Sequence, residues 1–397
     1  MTVAGRREIP PVITTGEVGS FAWDTVKRRV PEILADTRRR LGPAPTEVDA
    51  GLDELDRELR GGRLRGLREV TADRAAWDAA VAPHLGRGWL ELPWYFAEAF
   101  FYRRVLEATG YFGAGPWAGR DPYAAHKAGE WLPEEGPRRA AELLAVAPAD
   151  PGLRLEALLL GSLWGNRVDL SYNVARALGA GGFLGKSEDL LVDDTAAVVA
   201  HIAAGRAARI ALIADNAGTE CLMDLALVDH LLGGAGVGHV ELHVKDHPFF
   251  VSDTVPADLD AALAALAGSG QAEAIALGAR LGDWRRAGRL AVTTHPFYTS
   301  SRFYPQLPDD LRGTLAGFGL VLVKGDANYR RLLSDAHWPV ETLFSEVVAD
   351  FPAPICALRT MKAEVLVGVK TEVAVALTKT DPRWMVNGQR GLVQARL

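Results

Sequence analysis

From residue 209 onward the chain repeats one arrangement, in which a short apolar run rich in β-branched residues ends in a polar cluster. It occurs as IALIADNAGTE (210–220), VELHVKDHPFFVSD (240–253), LVLVKGDANYRRL (320–332) and ICALRTMK (355–362). Such runs read as buried strands, and polar residues at one rim of a sheet are how open α/β folds build a binding crevice. DLLVDD (189–194), LAVTTH (290–295) and EVLVGV (364–369) read as further strands. Helical runs separate them: one through His201, then LMDLALVDHLL (222–232) and LDAALAALAG (259–268). This alternation, from about residue 185, predicts a mostly parallel, Rossmann-like sheet with helices on both faces, an α/β/α sandwich.

The first 175 residues read as helical almost throughout. WDTVKRRVPEILADTRRRL (23–41) has helical spacing, with Pro31 expected to kink or restart it. VDAGLDELDRELRGG (48–62) ends at a glycine pair, and WYFAEAFFYRRVLEATGYF (94–112) starts after Pro93. LRLEALLLGSLWGNRVDLS (153–171) is a fourth helix, and no strand is expected before about 185. The expected organisation is therefore a helical region over 1–175 and an α/β/α metal- and phosphate-binding catalytic domain over 176–397.

Composition excludes several classes. At 397 residues the chain can bury a large core, and a net charge of −6 argues against a nucleic-acid partner. No apolar run reaches the roughly 18 residues of a membrane span, and the start, MTVAGRREIPPVITT, lacks the apolar core of a signal peptide. Cys221 and Cys356 fall in an apparent helix and an apparent buried strand, so two free core thiols are expected. The expectation is a cytoplasmic protein, a monomer or weak homo-oligomer, with no membrane partner. GxSxG, CxxC, HExxH and Walker patterns are absent. The Gly-rich GAGGFLG (179–185) and GGAGVG (233–238) read as loops, because neither follows a strand and opens a helix.

Chemistry concentrates in the four clusters. Asp215 and Asn216 follow a strand directly, and Gly218 permits a turn into the next helix. Helix capping is the competing reading. An adjacent Asp-Asn after so apolar a run, with acids at other strand ends, favours a hard cation, with the free N–H groups of the helix start available to an anion. Asp253, past a Pro-Phe-Phe loop, is a candidate second carboxylate; the plainer reading is a turn. His243 and His247 have zinc-like spacing only on a helix, and this backbone reads as extended. Asp326 and Asn328 open a helix whose first turns carry Arg330 and Arg331, donors for an anion or surface salt-bridge partners. Arg359 and Lys362 follow a strand and face either a counter-ion or solvent.

In this order the clusters, DN-AG-E, K-x-x-P-x-FVSD, KGD-x-NYRRL and RT-x-K, resemble the metal-dependent damage-control phosphatases, long catalogued as a domain of unknown function. The likeness is to the acidic residue methyltransferase one–like branch, marked by RTxK. R-x-x-P at Arg28 and Pro31, a W-x-x-AE-x-x-x-YRR helix and LWGNRVDLS extend it over about 20–370. The resemblance implies a helical N-terminal region before an α/β/α domain. It implies a metal on Asp215, Asn216 and Asp253. It implies contacts to substrate phosphate and sugar from Asp326, Asn328, Tyr329, Arg330 and Lys362. Family members use Mn, Co, Ni or Mg ions on sugar phosphates and related metabolites. Ala327 stands where larger apolar residues are common, and nothing after about 370 matches a motif.

The leading expectation is therefore phosphomonoester hydrolysis of a small phosphorylated metabolite, with Asp215 and Lys362 catalytic and either a water or Asp215 as nucleophile. The rivals are S-adenosylmethionine-dependent carboxyl methylation and a metabolite-binding module with a vestigial site.

Overall fold

A computed structural model describes residues 8–165 and 189–397. Seven strands form one sheet: β1 (Leu190–Asp193), β2 (Arg209–Ile213), β3 (His239–Val244), β4 (Leu290–Thr294), β5 (Leu320–Lys324), β6 (Ile355–Thr360) and β7 (Gly391–Arg396). Their order is β1-β7-β6-β5-β2-β3-β4, and every neighbouring pair is parallel except β6–β7. The chain steps outward from β2 through β3 to β4, then returns to place β5 on the other side of β2. The strand order thus reverses between β2 and β5, and a crevice opens there beyond the carboxyl ends.

The strands present alternate residues to two cores, as the two-residue period of a strand requires. Ala211, Ile213, Val321, Val323, Ile355 and Ala357 join the core containing helices Thr46–Gly61 and Trp94–Ala108. Ile210, Leu212, Leu320, Leu322, Cys356 and Leu358 join the other, with helices Gly136–Val146, Pro151–Leu163, Thr219–Gly233 and Pro256–Gly268. The helical region is therefore divided between the two faces, and the expected boundary near 175 marks a change of secondary structure. Cys221 and Cys356 lie in the second core as free thiols. Among the described residues no helix is long and apolar enough to cross a membrane.

Pro31 does interrupt its helix: a π-helical stretch, Thr25–Arg29, precedes Val30–Leu41, because proline cannot donate the backbone bond that an uninterrupted α-helix needs. The helix from Trp94 ends at Ala108, short of 112, with Gly110 at φ 68. Residues 166–171 of the fourth expected helix and the Gly-rich 179–185 lie outside the described residues.

EVLVGV (364–369) is not a strand. Val365 and Val367 are buried, but their carbonyls accept from side chains, Val365 O from Arg359 Nη1 and Val367 O from Gln394 Nε2 at 2.8 Å, while Gly368 N and Val369 N donate to the loop carbonyls of Thr342 and Val340. Apolar composition reported burial there rather than ladder pairing. The strand beside β6 is GLVQAR (391–396), which pairs antiparallel and lay beyond the parallel alternation.

Candidate active site

Asp215 lies just past the end of β2. Its carbonyl accepts from Thr254 N at 2.8 Å, while Ala217 N donates to Ser252 O at 2.7 Å and Asn216 bridges Asp253. These bonds zip the DNAG turn to the FVSD loop. Reaching this position forces Phe250 and Val251 to φ 48 and 66. A left-handed β-branched residue is strained and persists only when its surroundings hold it. The Phe250 ring, 4.7 Å from Tyr102 and 5.8 Å from Tyr95, anchors the loop on the N-terminal helix Trp94–Ala108. On the other side of the crevice Gly325, at φ 85, brings bare backbone against Asp215; a Cβ there would lie 2.0 Å from Asp215 Oδ2.

Asn216 is held on several sides. Its Nδ2 donates to Asp215 Oδ2 at 3.0 Å and to Glu220 Oε2 at 2.9 Å, and its Oδ1 accepts from Ser252 Oγ at 2.6 Å. Asp215 and Asp253 are both buried. Burial, then the charges of Glu220 and Asp253, hold the Asp215 carboxyl well above the usual carboxylate range. Burial also raises Asp253, against the pull of Lys245. The Lys245 ammonium lies 3.3 Å from Asp253 Oδ2, an oxygen that is buried and accepts no hydrogen bond from the described residues. Lys127 donates to the Asp253 carbonyl at 3.1 Å and is neutralised by Asp258 and Asp121.

Among the described residues, the buried acids Asp215, Glu220, Asp224 and Asp253 share the buried ammonium groups of Lys245 and Lys324. Burial sets Asp215 and Asp253 within reach of each other's charge, in a place that water does not screen. No three His, Cys, Asp or Glu side chains form a metal cage among the described residues. The fit instead rests on two carboxylates and the amide oxygen of Asn216, hard donors that suit a divalent cation. The orphaned Asp253 Oδ2 is the oxygen such an ion would satisfy. A zinc pair does not form: His243 Nδ1 bonds Tyr298 Oη at 2.8 Å, and the His247 ring packs edge-on to Phe112.

The β5–β6 side is differently made. Asp326 Oδ1 accepts from Arg359 Nε at 2.8 Å and from the backbone N–H of Lys362 at 3.0 Å. Arg359 is fully buried, its guanidinium 4.3 Å from the Tyr329 ring, whereas Lys362 is exposed and close enough for its charge to pull down the Asp215 carboxyl. Asn328 is 1% exposed, and its Nδ2 ties the ends of β2 and β5 through Ala214 O (3.2 Å) and Lys324 O (2.9 Å). The Tyr329 hydroxyl donates to Gln394 at 2.7 Å. Arg330 forks onto Asp335 at 2.7 and 3.0 Å, meets Glu98 at 2.6 Å and stacks 3.6 Å from the Trp94 ring.

Of the residues singled out by sequence, Asp215, Asn216, Asp253, Asp326 and Lys362 meet at one crevice. Asn328 underpins it from a closed position. Tyr329 and Arg330 turn away, into contacts with β7 and the N-terminal helix. Five participants gave little signal. Lys127 and Glu130 come from a helical stretch without a motif. Glu220 was visible only as the last letter of its cluster, Lys324 as the end of an apolar run, and Ser252 as a turn residue. Glu130 Oε2 accepts from Thr219 N at 3.3 Å and Thr219 Oγ1 at 2.5 Å, so the helix start expected to offer free N–H groups receives a protein carboxylate.

Comparison with known proteins gives the family. The profile described as "Damage-control phosphatase ARMT1-like domain" matches residues 25–376. Damage-control phosphatase ARMT1 of mouse is 30% identical, with 98% of each chain covered. The zebrafish protein is 29% identical over 95% of this chain and 94% of its own. Among solved structures, a DUF89 family protein from Pyrococcus horikoshii superposes with a TM-score of 0.52 at 14% identity, covering 95% of this chain and 98% of that one, which speaks for the fold alone. With the motif segments gathered on one rim and the profile running through nearly all of them, the chain belongs to the ARMT1-like family of damage-control phosphatases.

Proposed function

We propose that this protein is a divalent-metal-dependent phosphomonoesterase acting on small phosphorylated metabolites such as sugar phosphates. The observation that carries the reading is the burial of two carboxyls, Asp215 and Asp253, beside the amide of Asn216, with the exposed ammonium of Lys362 on the same rim. Asp215, Asn216 and Asp253 would hold Mn, Co, Ni or Mg. When bound, such an ion supplies Lewis-acid stabilisation of charge on a phosphoryl group.

The chain's own residues do the rest. Lys362 balances charge on the phosphoryl oxygens, and Asp326 fixes its loop through the Lys362 N–H. Bare backbone at Gly325 lets β5 approach Asp215 without a side chain in the way. Burial of Asp215 and Asp253 keeps bulk water from screening these interactions. Carboxyl methylation lacks comparable support: the turn after β2 has one glycine, and Glu130 sits on the helix start that an adenosyl cofactor would use.

The test is release of inorganic phosphate from a panel of sugar phosphates, metal by metal, on chelator-treated protein. Release that depends on added metal and needs no S-adenosylmethionine is expected. Full activity after exhaustive chelation, or no release with any metal, would sink the reading.

A further inference from the structure

Behind the three candidate ligands lies a second layer. Lys324, the last residue of β5, is 1% exposed. Its Nζ donates to Ser162 Oγ at 2.9 Å and to the Ser162 carbonyl, pairs with Asp224 Oδ1 at 2.9 Å, and lies 3.5 Å from Glu220 Oε1. The other carboxylate oxygen of Glu220 accepts from Asn216 Nδ2 at 2.9 Å. Glu220 is on the first turn of helix Thr219–Gly233, so its position is fixed by the second core.

The two ends of an amide differ only in what they can bond, and a carboxylate accepts but never donates when ionised. Ser252 can give or take a hydrogen bond, so it does not choose between the two orientations of Asn216. Glu220 does choose, together with the candidate ligand Asp215: both carboxylates require the NH2 end, and Oδ1 must then face Ser252. The Lys324 ammonium lies against Oε1 of Glu220, while Oε2 accepts from the amide.

We infer that Glu220, anchored on Lys324, is a positioning residue that turns the amide oxygen of Asn216 toward the cation. This rests on the metal-site reading above. It reaches past the ligands to say why an asparagine works between two aspartates: the amide supplies a ligand oxygen while its NH2 absorbs lone pairs of neighbouring carboxylates.

The test is Mn2+ affinity, read by electron paramagnetic resonance of the free ion, in metal-stripped protein whose thermal melting is checked in parallel. Glu220→Asp keeps the charge but withdraws the oxygen by one methylene. Glu220→Gln keeps the shape but offers a donor as well as an acceptor. Each is expected to weaken Mn2+ binding about 10–100-fold, the usual cost of losing a group that orients a ligand. Asn216→Asp supplies the decisive background, because a carboxylate needs no orienting. There the Glu220 changes should cost less than about threefold, and the difference between backgrounds is the coupling. Equal losses in both backgrounds would mean that Glu220 does not act through the orientation of the Asn216 amide, and would overturn the inference. So would a Glu220→Asp protein that binds as the native one does. If the native protein shows no saturable Mn2+ site, the metal reading itself falls and the positioning role with it.

Discussion

Past the ends of β2 and β3, the carboxyls of Asp215 and Asp253 are buried within reach of each other's charge, whereas past the ends of β5 and β6 the buried guanidinium groups are answered on the spot. Arg359 meets Asp326, Arg330 meets Asp335 and Glu98, and Arg331 meets the carbonyls of Arg302 and Phe297. On the proposed function the first half would hold a cation. The second half is complete, except that Lys362 is left facing solvent. The same contrast runs through the short helix Asp326–Leu332, which turns Asp326 to the crevice and Arg330 to the N-terminal helix. Charge in a motif therefore says little until its partner is known.

The contrast is broken most severely at Asp253. Asp253→Asn should abolish Mn2+ binding and lower turnover by at least about a thousandfold, since it removes one of three protein ligands to a Lewis-acidic ion. Isotope-free phosphate assays beside a metal titration check both. Retention of metal binding would mean that the buried Asp253 carboxyl serves some other end.

Arg330→Met probes the completed half. Removing one member of a buried ion network leaves Glu98 and Asp335 uncompensated, a loss of about 3–5 kcal/mol in folding stability. Burial already holds Glu98 above its ordinary pKa with Arg330 beside it. Urea unfolding should show the loss, while KM of the protein that remains folded stays within about threefold, since uniform substrate binding has not been touched. A large rise in KM at normal stability would return Arg330 to the substrate.

Lys362→Ala should cost about 3–4 kcal/mol in kcat/KM, as for other single electrostatic contacts to a developing charge. Being exposed, Lys362 should leave the melting temperature unchanged. A loss under about threefold would show that its ammonium points into solvent during the reaction. Asp326→Asn should be milder, about tenfold in kcat, because it loosens the loop that carries Lys362 by weakening a charge-assisted hydrogen bond. A loss as large as that of Lys362→Ala would place Asp326 against the substrate itself.

The sheet was legible because parallel strands are buried on both faces and read as continuous apolar runs. The same rule misread 364–369, where an apolar segment is buried but bonded by Arg359 and Gln394, and it overlooked β7, whose polar Gln394 serves the core. At the site, the acids after β2 and β3 stood out, because acids after apolar runs are rare without a reason. Arg330 and Tyr329 carried the same kind of signal, yet helix phase turned them inward. The supporting groups were hardest to see: Lys127 and Glu130 arrive from a distant helical stretch, and no local pattern marks a residue whose partner lies far along the chain.

The central claim is that the Asp215–Asn216–Asp253 half of the crevice holds one divalent ion. Titration of metal-stripped protein with Mn2+, following the free-ion resonance, tests it directly on the native chain and on Asp253→Asn. One saturable site in the native protein, lost in the variant while melting of the metal-free fold persists, is the predicted result. A free-ion signal that rises linearly from the first addition, or equal binding by both proteins, would contradict it.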